Sequence, residues 1–219
     1  MSTQQQAPQL GNRVSTFRYI PDEYKTVEAC LYAVGQRGQA LQYVPENLKT
    51  MEVCWTAVQQ DYRALKYVPE HLKAYELCKL AVKQNGWAIQ YVLEQNRTLE
   101  LCEIAVNRYG TSLKYVPELY KTAELCTIAV RQDGFAIQYT PDRFITYDLC
   151  HGAVQQHGTA LQYVPNIHIT QELCMLAVQK YWWSLKFVPN KYKTYELCMC
   201  AILQSSNIRY IPGKYLLPK

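Results

Sequence analysis

The chain has no run of eighteen apolar residues, and its opening stretch, Met-Ser-Thr-Gln-Gln-Gln-Ala-Pro, is polar and uncharged. The first absence argues against a bilayer-spanning helix, which needs about 20 apolar residues, and the second against a secretory leader. Neither membrane association nor signal-peptide export is expected. Blocks of lysine or arginine are missing too: 23 basic and 18 acidic residues are spread over 219 positions for a net charge of +5. A nucleic-acid partner is therefore permitted but not indicated. There is no nucleophile elbow, no phosphate-binding glycine loop and no metal-ligand spacing. The Cys-x-Cys at Cys198 and Cys200 has no second pair, and His71, His151, His157 and His168 do not share one position with it. No enzyme activity and no cofactor are expected. Apolar residues nonetheless make up 49% of the chain, enough for a folded protein with a sizeable core.

What is present is a period. Cys30, Cys54, Cys78, Cys102, Cys126, Cys150, Cys174 and Cys198 follow one another at 24 residues without an insertion. An acid stands two residues before each, from Glu28 to Glu196, and an alanine three residues after each, from Ala33 to Ala201. Self-similarity at a fixed spacing of this size is the signature of stacked repeats. The expected fold is all-α: an α-solenoid of eight 24-residue helix-turn-helix repeats across residues 17–219, preceded by a flexible segment, 1–16.

Thr50–Gln60 shows the first element of a copy. Thr50 suits an N-cap, Glu52 suits the positive end of the helix dipole, and Val53, Cys54, Ala57 and Val58 fall on one helical face. Threonine fills the cap position in seven copies, and Ala74 is the exception. Gly38, Gly86, Gly110, Gly134 and Gly158 are expected to end five of these helices in a left-handed turn. The second element, such as Ala40–Val44 before Pro45, reads as one or two helical turns, with a strand as the competing reading. One copy is too small to bury its own apolar face, so stability has to come from neighbours. Half-copies at Arg18–Pro21 and Arg209–Pro212 open and close the array.

Several columns invite a functional reading. Matching cysteines should sit a helix spacing apart, near 8–10 Å, beyond disulfide reach. They are therefore expected to be reduced and structural, which points to an intracellular, reducing compartment: the cytoplasm, a host cell or a virion. Tyr19, Tyr43, Tyr67, Tyr91, Tyr115, Tyr139, Tyr163 and Tyr210, with Phe187, are expected to pack on adjacent copies; a base-stacking platform would need them exposed. The basic column of Lys25, Lys49, Lys73, Arg97, Lys121 and Lys193 is expected to pair with the acidic column across copies, or to form an anion-binding groove. Gln36, Gln60, Gln84, Gln132, Gln156 and Gln204 read as a hydrogen-bonding rail or a neutral surface. Positions that vary between copies are better candidates for partner contact: Trp55, Trp87, Phe135 and Trp183, together with Lys49, Lys73, Arg97 and Lys121.

The unit Ala64–Glu70 with Glu76–Val82, and Ser112–Glu118 with Lys121–Val130, resembles a tandem-repeat family catalogued as a domain of unknown function and seen in bacterial, protist and large-virus proteins. The resemblance runs from about Phe17 to Pro212 and implies no assigned activity. Departures are local: Leu93 stands for the proline, Tyr62, Trp182 and Ser206 for the glycine, and Ile145 and Ile169 for the basic residue. The expected function is a non-enzymatic scaffold whose concave surface holds a protein or peptide. The alternatives are a single-stranded nucleic-acid binder or a structural part of a larger assembly such as a virion. Self-association is left open.

Overall fold

The computed structural model describes residues 16–205 and 210–213. The expected flexible segment before Thr16, and Ser206 and Arg209, lie outside the described residues. The protein is an all-α solenoid of eight repeated helix-turn-helix units. The eight α-helices are α1 (Val27–Gln36), α2 (Met51–Gln60), α3 (Tyr75–Gln84), α4 (Leu99–Arg108), α5 (Ala123–Gln132), α6 (Tyr147–Gln156), α7 (Gln171–Lys180) and α8 (Tyr195–Gln204). Contacts gather them into two compact units that divide between Asn96 and Arg97. In the first, α1 packs on α2 and α2 on α3; in the second, α4 to α8 pack in sequence.

Each α-helix begins where the sequence signals it. Seven threonines, from Thr26 to Thr194, accept a hydrogen bond from the backbone N–H three residues on, at 3.1–3.3 Å. Ala74 offers no such acceptor. The acids follow in the first turn; the carboxyl of Glu28 is held below its usual range by its own backbone N–H and by the Thr26 hydroxyl. Val53, Cys54, Ala57 and Val58 are fully buried, and the equivalent residues of the other copies are buried too, except Ala29, Leu149 and Ile202, which are half-buried.

The second element is helical, as expected, but it is a 3-10 helix of six residues. Gly38–Tyr43 is the first complete example and Trp182–Phe187 the last. The strand alternative is ruled out, since no strand occurs among the described residues. A 3-10 helix rises about 2.0 Å per residue, so six residues reach ~12 Å, where α geometry would give only ~9 Å. That reach lets a short segment run along most of a ten-residue helix of ~15 Å. Alanine and Leu or Ile in the middle of the segment, such as Ala64 and Leu65, are buried beneath the helices. A further three-residue 3-10 turn, for example Glu46–Leu48, follows the prolines from Pro21 to Pro189, and also Leu93 where the proline is replaced; it was not foreseen. The proline φ, −57° at Pro45, is preset for it, and Pro45 C=O accepts from Leu48 N–H at 2.9 Å.

The glycines do not supply left-handed turns. At Gly38, Gly110, Gly134 and Gly158 φ is not positive, and the bend is made by the extended residue before them, such as Arg37 at φ −147°. Glycine is required for space. A Cβ on Gly134 would stand 2.6 Å from the carbonyl oxygen of Ala153 in the next copy, and the other three would meet Ala57, Ala129 and Ala177 in the same way.

Candidate functional site

Most of the recurring polar side chains are spent on joining one copy to the next. Gln60 accepts from Gly38 N–H at 2.6 Å and donates to Gln36 C=O; Gln156 accepts from Gly134 N–H at 3.0 Å and donates to Val130 and Arg131 C=O. Gln84, Gln132 and Gln204 likewise donate to the end carbonyls of the preceding helix. These carbonyls have no partner within their own helix, so the glutamine column satisfies a requirement that every helix end creates. It is a hydrogen-bonding rail.

The basic column is engaged in a different way from the expected one. Lys25 Nζ, with its side chain 5% exposed, donates to Asp22 and to Tyr43 C=O; Lys73 donates to Tyr91 C=O and Arg97 to Tyr115 C=O. Lys49 and Lys121, at 9% and 11%, pair with Glu46 and Glu118. The acid is thus the one that opens the adjacent 3-10 turn, and the acidic column at the helix starts stays exposed. Ile169, in the same column, is buried at 7% exposure, as a seam position permits. Lys49, Lys73, Arg97 and Lys121 are therefore set between elements, with little charged surface left for a partner.

All nine cysteines are free thiols, eight of them buried. Burial pushes Cys54, Cys102, Cys150 and Cys174 up to about 11 and raises Cys30, Cys78 and Cys126. A thiol of that kind is almost wholly protonated at neutral pH and is a poor nucleophile and metal ligand. Among the described residues no group of three His, Cys, Asp or Glu side chains could hold a metal ion, and no helix is long and apolar enough to cross a membrane.

The tyrosine column is neither buried nor free. Tyr43 is 37% and Tyr163 36% exposed, and Lys66, Lys114 and Lys186 lie 4.8–5.6 Å over the rings of Tyr67, Tyr115 and Phe187. The varying positions separate into two places. Trp55 and Met51, one turn apart, are exposed on one face of α2; Tyr32 of the adjacent α1 is exposed as well, and Leu31 of α1 and Tyr75 and Leu80 of α3 are half-buried. Trp87, Phe135 and Trp183 lie in the turns after α3, α5 and α7: Trp183 is exposed, Trp87 half-buried, and Phe135 stacks on His157 of the next copy with centroids 4.5 Å apart. Reading by column found Trp55 but missed Met51, one helical turn earlier on the same face of α2, and Tyr32, exposed on the adjacent α1, because both occupy other columns.

The model of the family described as a domain of unknown function (DUF4116) matches residues 26–73, 50–97 and 98–145, together more than half of the chain. The chain belongs to this family. Each DUF4116 match begins at a threonine N-cap, Thr26, Thr50 or Thr98, and covers two consecutive copies. The family unit is therefore a pair of repeats with the seam between them. No curated protein and no solved structure matches this DUF4116 chain.

Proposed function

We propose that the protein is a non-enzymatic repeat scaffold that binds a protein or peptide partner, and that α1, α2 and α3 of the first unit present the contact face. The observation that carries this reading is the cluster around Trp55. Trp55 and Met51, one turn apart on α2, and Tyr32 on the adjacent α1 are 38–49% exposed, whereas the seams have already used the recurring polar columns. Exposed aromatic and methionine side chains grouped in this way supply the anchors of protein interfaces. Trp55→Ala removes such an anchor while touching no buried column. Affinity capture from the source cells with the wild-type chain and with Trp55→Ala tests the reading. One polypeptide retained by the wild type, lost by Trp55→Ala and kept by Leu119→Ala is the expected result. Identical captures by all three chains, or none, count against it.

A further inference from the structure

The turns that close the helices of the second unit form an edge with a chemistry of its own. Arg108, Arg131 and Lys180 stand in the last turns of α4, α5 and α7; all three are exposed, and none forms an ion pair among the described residues. Directly after them come aromatic rings: Tyr109 and Tyr181 at 43% and Trp183 at 54% exposure. Between these, Phe135 and His157 from successive copies are stacked with an interplanar angle of 10°. The turns after α5 and α6 therefore lie within ring-stacking distance, and the turns after α4 and α7 each carry a cation followed by exposed rings. The one acid in these turns, Asp133, is already committed: it accepts from Phe135 N–H at 2.9 Å and faces His157 Nε2 at 3.7 Å.

We propose that this edge binds single-stranded nucleic acid, with bases on the rings and phosphates on the cations. Glu100, Glu124 and Glu172 sit in the first turns of their helices, and Glu103 lies midway along α4. The first-turn acids Glu100 and Glu172 lie ~12 Å along the helix axis from Arg108 and Lys180, past a screening length of ~8 Å at physiological ionic strength, and Glu103 alone comes within it, ~7.5 Å from Arg108. The mild net charge of the chain therefore understates the potential at this edge. A single strand offers both a charged backbone and uncovered base faces, whereas a duplex hides the faces that Tyr181 and Trp183 would cover. The proposal concerns another unit and another face than the Trp55 cluster, and either can fail without the other.

The test uses the full chain and fluorescein-labelled oligouridylate, oligothymidylate and a duplex, each of about 12 nucleotides or base pairs, in the usual range of single-strand sites. Anisotropy is followed from about 50 to 200 mM salt together with tryptophan fluorescence. Expected are binding of a single-stranded oligomer with quenched tryptophan emission and a log–log salt slope of about −2, the value for three phosphate contacts. Trp183→Ala or Tyr181→Ala should weaken binding about tenfold, and Arg108→Gln or Lys180→Gln should flatten the slope by about 0.7. Trp55→Ala should leave binding unchanged. A preference between the two single strands identifies the sugar. Absence of binding at low salt, equal affinity for the duplex, or wild-type affinity in both ring variants overturns the proposal.

Discussion

At the scale of single residues, the copies serve as internal controls for one another. Ser112 and Ser184 occupy a column that is otherwise alanine, and their buried hydroxyls have no hydrogen-bond partner. Ser112→Ala should therefore stabilise the protein by about 1 kcal/mol, read as a higher denaturant midpoint at unchanged slope. Gly134→Ala should do the reverse, at a cost of about 2 kcal/mol, because the added methyl group meets the Ala153 carbonyl oxygen at 2.6 Å. A left-handed glycine would also resist alanine, but Asn would then rescue it; here Gly134→Asn should be worse than Gly134→Ala. The thiols give a third expectation. Cys54, Cys102, Cys150 and Cys174 are raised by burial from 9.0 to about 11 in the folded chain. The stability they confer is present below pH 9 and is lost as pH rises toward 11, because the unfolded chain releases those protons first. At neutral pH a thiol reagent should label Cys200, the one half-buried cysteine, well before the rest, and all nine after unfolding.

At the scale of elements, caps were legible and backbone type was not. A threonine followed by an acid two residues later marks a helix start whatever packs above it, and all seven threonines behave accordingly. Ala74 breaks the pattern, and Ala74→Thr should add about 1 kcal/mol, detectable as a rise in thermal midpoint. The six-residue segment could not be resolved from sequence as α, 3-10 or strand. Its alanine and Leu or Ile suit any of them, and what decides is the length it must cover beneath the helix. The basic column failed for a related reason. Sequence shows charges of opposite sign in two columns, yet the partner of Lys25 is Asp22 together with a main-chain oxygen, Tyr43 C=O, which no side-chain pattern displays. Trp55 was legible as a varying position, but its exposure together with Met51 depends on which face of α2 the flanking helices leave uncovered.

At the scale of the molecule, the period alone was enough to give the all-α solenoid class and the number of α-helices, because a fixed 24-residue spacing leaves every seam the same problem to solve. The division between Asn96 and Arg97 had no counterpart in the sequence reading, since no change of composition marks it. Nearest-neighbour stacking makes one further expectation specific. Deleting residues 147–170, one full period, brings Gln171 directly after the Thr146 cap. Circular dichroism and the denaturant slope should show a cooperatively folded protein with a proportionally smaller transition. A deletion of similar size begun out of phase, at Cys150 and ending at His168, should not fold.

The glutamine that reaches back to the preceding helix carries an evolutionary consequence. Because each such side chain bonds to main-chain atoms, it makes no demand on which amino acids its neighbour carries. Duplication, loss or shuffling of whole copies by recombination between like registers leaves the junctions that carry this glutamine chemically complete, while Arg108 and Lys180 stand in its place in two copies. Lineages can thus lengthen, shorten or redecorate the array while its joints go on working, which frees the outward positions to diverge with whatever they meet.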